Sequence, residues 1–97
     1  MSELVCDREF TGEIDGVERR IVVEWMKPHR ERGDWRCDWV IHGLGDDPRQ
    51  GHAFGVDSAQ ALLLAMGAVR GVVEHEAPKI RWLSADHGLG LPAIPEQ

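Results

Sequence analysis

The chain has 97 residues, 17 acidic against 11 basic, for a formal net charge of −6 at pH 7. A domain of this size buries roughly 60–70% of its unfolded surface, enough for one core. No segment approaches the ~18 apolar residues of a membrane span, and the acidity argues against the basic surface that nucleic acid or an anionic membrane requires. The N-terminus lacks a basic and apolar leader, so the expected compartment is cytoplasmic, where the two cysteines would be free thiols.

Leu4 to Ile14 alternates, with Leu4, Cys6, Phe10 and Ile14 on one parity and Val5, Asp7, Glu9, Thr11 and Glu13 on the other. Val17 to Lys27 alternates as well, placing Val17, Ile21, Val23 and Trp25 together. Asp15-Gly16 between them is a strong hairpin signal. A two-residue turn pairs Ile14 with Val17, Phe10 with Ile21 and Cys6 with Trp25, so the apolar parities share a face. Arg8 breaks the pattern beside Val23. Either its stem packs at the sheet edge with the head in water, or a bulge flips it.

Pro28 to Asp34 reads as a polar loop. Trp35, Cys37, Trp39 and Ile41 then alternate with Arg36, Asp38, Val40 and His42. Pairing Lys27 with Trp35 sets Trp25 against Cys37 and Val23 against Trp39. Both cysteines then flank Trp25, roughly 9–10 Å apart, which is beyond the ~7 Å reach of a disulfide. They are expected to be buried, reduced and inert. Gly43 to Arg49 is a second loop, and Gln50 to Val56 a fourth strand with His52, Phe54 and Val56 toward the core and Phe54 opposite Trp39.

A helix follows. Asp57 is placed to cap it, with Gln60 reaching back to Asp57. Leu62, Met66, Val69 and Val73 form the predicted core stripe, flanked by Ala65 and Val72. Gln60, Arg70 and Glu74 face away, and Leu63 and Leu64 lie there or at the margin, beside Gly67 and Gly71. Pro78 ends the helix. Ile80 to Leu83 has the composition of a short edge strand, and the Gly- and Pro-rich tail 84–97 is expected to lie along the surface through Leu89, Leu91 and Ile94. The expected architecture is one α+β domain spanning 1–97: a four-stranded antiparallel meander with one long helix packed on one face, in the order β-β-β-β-α, with a short C-terminal strand as an addition.

Chemistry is sparse. His42 and His52 flank a loop containing Asp46 and Asp47, a conceivable carboxylate–imidazole cluster. Their parities put the two rings on opposite faces, so no metal or cofactor is expected. Ser58 and Ser84 have no visible histidine partner, Asp86-His87 lacks a nucleophile, and catalytic residues are not assigned. Two surfaces are candidates for protein contact. The sheet face away from the helix carries Asp7, Glu9, Glu13, Glu18, Glu24 and Asp38, interrupted by Val5, Val22, Met26 and Val40. Like charges are expected opposite each other there, Glu13 with Glu18 and Glu24 with Asp38. Glu9, Glu24 and Asp38 would meet a basic protein partner. Leu63 and Leu64 with Gly67-x-x-x-Gly71 would permit a close twofold helix contact. Trp35 and Trp82 are expected at the core's rim.

The run Trp35-Arg36-Cys37-Asp38-Trp39-Val40-Ile41, then Gly55-Val56-Asp57-Ser58-Ala59-Gln60-Ala61-Leu62, then Leu91-Pro92, resembles a family of small uncharacterised bacterial proteins. Their pattern is a Trp-x-Cys strand, a Gly-x-Asp-Ser-x-Gln-Ala-Leu helix start and a late Leu-Pro. The resemblance implies no activity and no site residues. In architecture alone, a strand followed by a capped Ala-rich helix also resembles the HicB-type antitoxin domain. Three functions are therefore in view: a non-catalytic interaction or accessory module that self-associates as a homodimer, an antitoxin- or immunity-like inhibitor of a basic partner, and a small metal protein or enzyme using His42, Asp46, Asp47 and His52.

Overall fold

A computed structural model describes residues 3–77, 79–82 and 89–92. The protein is α+β, with strands β1 (Leu4–Ile14), β2 (Val17–Met26), β3 (His29–Glu31), β4 (Asp34–His42) and β5 (Arg49–Gly55) followed by helix α1 (Ser58–Glu76). All pairings are antiparallel.

The first hairpin has the predicted register, Ile14 opposite Val17, Phe10 opposite Ile21 and Cys6 opposite Trp25. Asp15 (φ 53°) and Gly16 (φ 79°) are both left-handed, as a type I′ turn requires. The register shift in this pair lies between Leu4 and Cys6. No bulge therefore flips Arg8, which stays opposite Val23.

The Pro28–Asp34 segment is not simply a loop. β3 pairs with β4 through Arg32 and Gly33, again with two positive φ angles, 54° and 89°. It lies on the same side of β4 as β2 and continues β2's line. Trp25 is opposite Trp39 but His29 is opposite Arg36, so one strand advances four residues while the other advances three. Pro28, which has no N–H to give to a ladder, sits in this irregularity. The meander thus keeps four lanes, the second interrupted.

Two predicted registers need correction. β2 meets β4 two residues further on than expected, with Trp25 opposite Trp39 and Val23 opposite Ile41. The shift is even, so the same side chains stay inside. β5 differs by an odd number: Gly51 is opposite Trp39, Ala53 opposite Cys37 and Gly55 opposite Trp35. Its small residues face the core, while His52, Phe54 and the following Val56 are exposed. Steric space explains the inversion. A Cβ on Gly51 would fall inside the Trp39 indole, and one on Gly55 would lie 2.5 Å from the Ala61 backbone nitrogen. The helix and the Trp39 ring approach β5 too closely for phenylalanine to point inward.

The same closeness rotates the helix. Ala61, Ala65, Val69 and Val73 are fully buried, whereas Leu62 and Met66 are half-buried flanks packed on the core. The Asp57 carboxylate accepts from the Gln60 N–H at 2.7 Å, as expected of a cap. Gln60 Oε1, however, accepts from Val56 N–H at 2.7 Å rather than from Asp57. At the far end the Ala77 N–H donates to the Val73 carbonyl at 2.8 Å. Arg49 Nη1 bonds Glu76 Oε1 at 2.6 Å, holding that carboxyl below its usual range and tying the start of β5 to the end of α1. Pro78 lies outside the described residues.

A helix is about 10 Å across and strands are about 4.8 Å apart, so α1 can roof only two lanes. It lies over β4 and β5 and touches β2 less. Phe10 and Ile21, on the uncovered side, are nevertheless buried. The chain after the helix contributes the buried side chains of Ala77 and Leu91, with Ile80, Trp82 and Leu89 half-buried against the same core. Among the described residues, the expected edge strand is a single antiparallel bridge from Arg81 to Thr11, and its Leu83 lies outside them. Ser84, Asp86, His87 and Ile94 lie outside the described residues.

Candidate interaction surface

Arg8 settles into a role that alternation alone did not assign. Its guanidinium lies 3.9 Å from the centroid of the Trp82 ring, and Nη1 donates to the carbonyls of Leu89 and Gly90, each at 3.0 Å. From the helix, Arg70 Nη1 donates to the Leu91 carbonyl at 2.9 Å. Two arginines thus clamp one short strap of backbone over the core.

On the opposite side of the sheet, Glu24, Val40 and Gln50 form one row and Asp38 and His52 the next. The three carboxylates predicted to be a partner surface are all engaged here. Glu9 is ion-paired with Arg20. Glu24 Oε1 is 2.7 Å from His42 Nε2, and Asp38 Oδ1 accepts from Arg36 Nε at 2.9 Å. Glu31 also meets Arg36, at 3.3 Å. Both carboxylates hold the Arg36 guanidinium more firmly charged, with its hydrogen bond to Asp38 the larger cause. Glu13 does stand opposite Glu18, but Lys79 and Arg81 answer them, at 3.6 Å and 2.6 Å. Glu24 stands opposite Asp7 and Val40 rather than Asp38. The face is therefore mixed in charge, and every acid named on it except Asp7 meets an arginine, lysine or histidine side chain in place. Between the pairs lie half-buried Val22, Met26 and Val40 and exposed Val5 and Phe54. The arginines and Phe54 are the members that sequence reasoning missed. Arg20 and Arg36 were legible from their parity with Glu18 and Asp38; Phe54 was not, because its orientation depends on the helix.

The helix candidates do not form one patch. Leu63 is exposed, Leu64 half-buried, Gly67 buried, and Gly71 open to solvent. Trp35 is half-buried with the Arg30 guanidinium 5.6 Å from its ring centroid.

His42 and His52 share the outer face, contrary to the expectation of opposite faces, because β5 is inverted. They are still not neighbours: His42 meets Glu24, while His52 lies edge-on to Phe54 at 5.3 Å. Asp46 and Asp47 are exposed in the loop. Among the described residues, no three His, Cys, Asp or Glu side chains gather as a metal site would require. Cys6 is half-buried and Cys37 buried, both free. The Cys37 thiol donates to the Met26 carbonyl at 3.3 Å, and burial pushes its pKa up to about 11, with Asp38 adding to the effect. Burial also raises Cys6. A nucleophilic thiol needs the opposite shift. No helix among the described residues is long and apolar enough to cross a membrane.

Comparison with known proteins gives one family match: a model described as Domain of unknown function (DUF6968) covers residues 6–93. No curated protein and no solved structure matches the chain.

Proposed function

Because the chain belongs to the DUF6968 family of domains of unknown function, we propose its role from its own surfaces: a non-catalytic protein-interaction module that self-associates through the outer face of the sheet. The observation that carries this reading is the internal pairing of that face, Glu9 with Arg20, Glu24 with His42 and Asp38 with Arg36. Two copies of an unpaired acidic face would repel. A face most of whose acids are paired in place, with Val22, Met26, Val40 and Phe54 between them, can meet its own copy across a twofold axis. The raised thiols support the absence of nucleophilic catalysis by either cysteine.

Each copy still carries a net charge of −6, so salt that screens this repulsion should favour association. Sedimentation velocity should show the weight-average mass rising with protein concentration and with ionic strength. Val40→Asp, at the centre of the face, should abolish the rise; Leu63→Glu should not. A strictly monomeric wild-type protein removes the reading. If Leu63→Glu alone abolishes association, the interface lies on the helix with Leu63, Leu64, Gly67 and Gly71. An inhibitor role toward a basic partner through Glu9, Glu24 and Asp38 is the weaker alternative, since that partner would have to break existing ion pairs.

A further inference from the structure

β1 is an edge strand, and its outer edge is used at one point only among the described residues. Thr11 N–H donates to the Arg81 carbonyl at 2.9 Å, and Arg81 N–H to the Thr11 carbonyl at 2.7 Å. In an antiparallel ladder these groups alternate in direction, so those of Glu9 and Asp7 point outward as Thr11's do. Neither has a backbone partner on that side among the described residues. Beside this edge runs an open groove of about 610 Å³, lined by Asp7, Glu9 and Glu18 and walled by Arg8, Arg81 and Trp82.

Charge then selects the occupant. Five carboxylates sit on β1 and β2; three are ion-paired, Glu9 with Arg20, Glu13 with Lys79 and Glu18 with Arg81, and Glu24 is hydrogen-bonded to His42. Among the described residues Asp7 alone of the five has neither an ion-pair nor a side-chain hydrogen-bond partner, and it stands opposite another acid, Glu24. A cation beside Asp7 would relieve that like-charge pair. A second copy of β1 fits badly, because antiparallel self-pairing brings Asp7 and Glu9 against the same two acids.

We infer that the Leu4–Phe10 edge of β1 binds an extended segment of a partner protein as an added strand, with lysine or arginine facing Asp7 and backbone hydrogen bonds to Asp7 and Glu9. Strand addition supplies the backbone contacts, and the alternating side chains supply the selectivity. Arg81 marks where the added strand must stop. The site borders the proposed self-association face and shares Glu9 with it, but its backbone contacts lie on the β1 edge while self-association centres on Val40, so either can fail alone.

The test uses the full chain and three blocked heptapeptides: alternating lysine and valine, alternating glutamate and valine, and the lysine peptide N-methylated on alternate amides. Backbone amide NMR and hydrogen exchange provide the readout. The lysine–valine peptide is expected to slow exchange at Asp7 and Glu9, and Asp7→Asn to weaken it about tenfold. The other two peptides should bind at least about tenfold more weakly. Absence of binding, equal binding by the glutamate peptide, an unchanged affinity in Asp7→Asn, or protection along β5 instead would each overturn the inference. Val40→Asp, which should abolish self-association, is expected to bind the lysine–valine peptide as the unaltered protein does, which separates this outcome from the self-association reading.

Discussion

Cys37 has no exposed surface, and its proton is held by burial and by the Met26 carbonyl. Its folded pKa, about 11, lies above the ordinary 9.0. The native state therefore keeps a proton that the unfolded chain releases in mild alkali. The associated stability is intact below the ordinary thiol value and is lost as pH rises through about 11. In native protein at neutral pH, iodoacetamide should label Cys6 slowly and Cys37 more slowly still. Denaturant should make them equally reactive. Peptide mass spectrometry reads the ratio, and rapid native labelling of Cys37 would contradict its placement. The neighbouring Trp25 and Trp39 are also buried, and neither indole N–H has an acceptor among the described residues. A buried unpaired donor costs about 1–3 kcal/mol, so these rings contribute through their apolar area.

The junction of β5 and α1 decides which way both elements face. Gly55 permits the contact by carrying no side chain toward Ala61. Gly55→Ala would press a methyl group against helix backbone, which cannot swing aside as a flexible side chain can. Overpacking of this kind costs about 1–3 kcal/mol, and urea denaturation should show it as a lower midpoint with an unchanged slope. A loss below about 0.3 kcal/mol would mean the helix sits farther from the sheet than described. The resemblance noted at Gly55-Val56-Asp57-Ser58 thus acquires a physical content: the glycine sets the distance and the aspartate caps the helix.

For the whole molecule, the single helix leaves half the sheet to be covered by other means. The strap at residues 89–91 completes the roof, with Leu91 buried beneath it and Arg8 and Arg70 holding its carbonyls. Arg8→Gln removes the stacking on Trp82 and a charged donor shared by two carbonyls. The expected loss is about 1–3 kcal/mol. Hydrogen exchange should quicken first at Thr11 and Arg81, while the amides of the β4–β5 pair stay protected. Uniform acceleration throughout the sheet would mean that the strap and the core open together.

Alternation and turn chemistry made much of this fold readable in advance. Asp15-Gly16 and the matching parities of Phe10, Ile21 and Trp25 specify the first hairpin, and Asp57 with Ala61 to Met66 specifies the helix, because each depends on near neighbours alone. The candidate site was only half legible. The acids Glu9, Glu24 and Asp38 could be placed on one face by counting in twos, yet Arg20, His42 and Arg36 decide what that face can bind. The inward side of β5 was invisible to counting: Gly51, Ala53 and Gly55 read as the outward parity of the strand until Trp39 and the helix lie against them. Arg8 likewise read as a misfit until Trp82 and the carbonyls of Leu89 and Gly90 arrived from the far end of the chain. Local hydrogen bonding and hydrophobic periodicity are properties of short segments. Which segment lies close enough to demand glycine, and which charge meets its counterion, is settled only when distant segments pack.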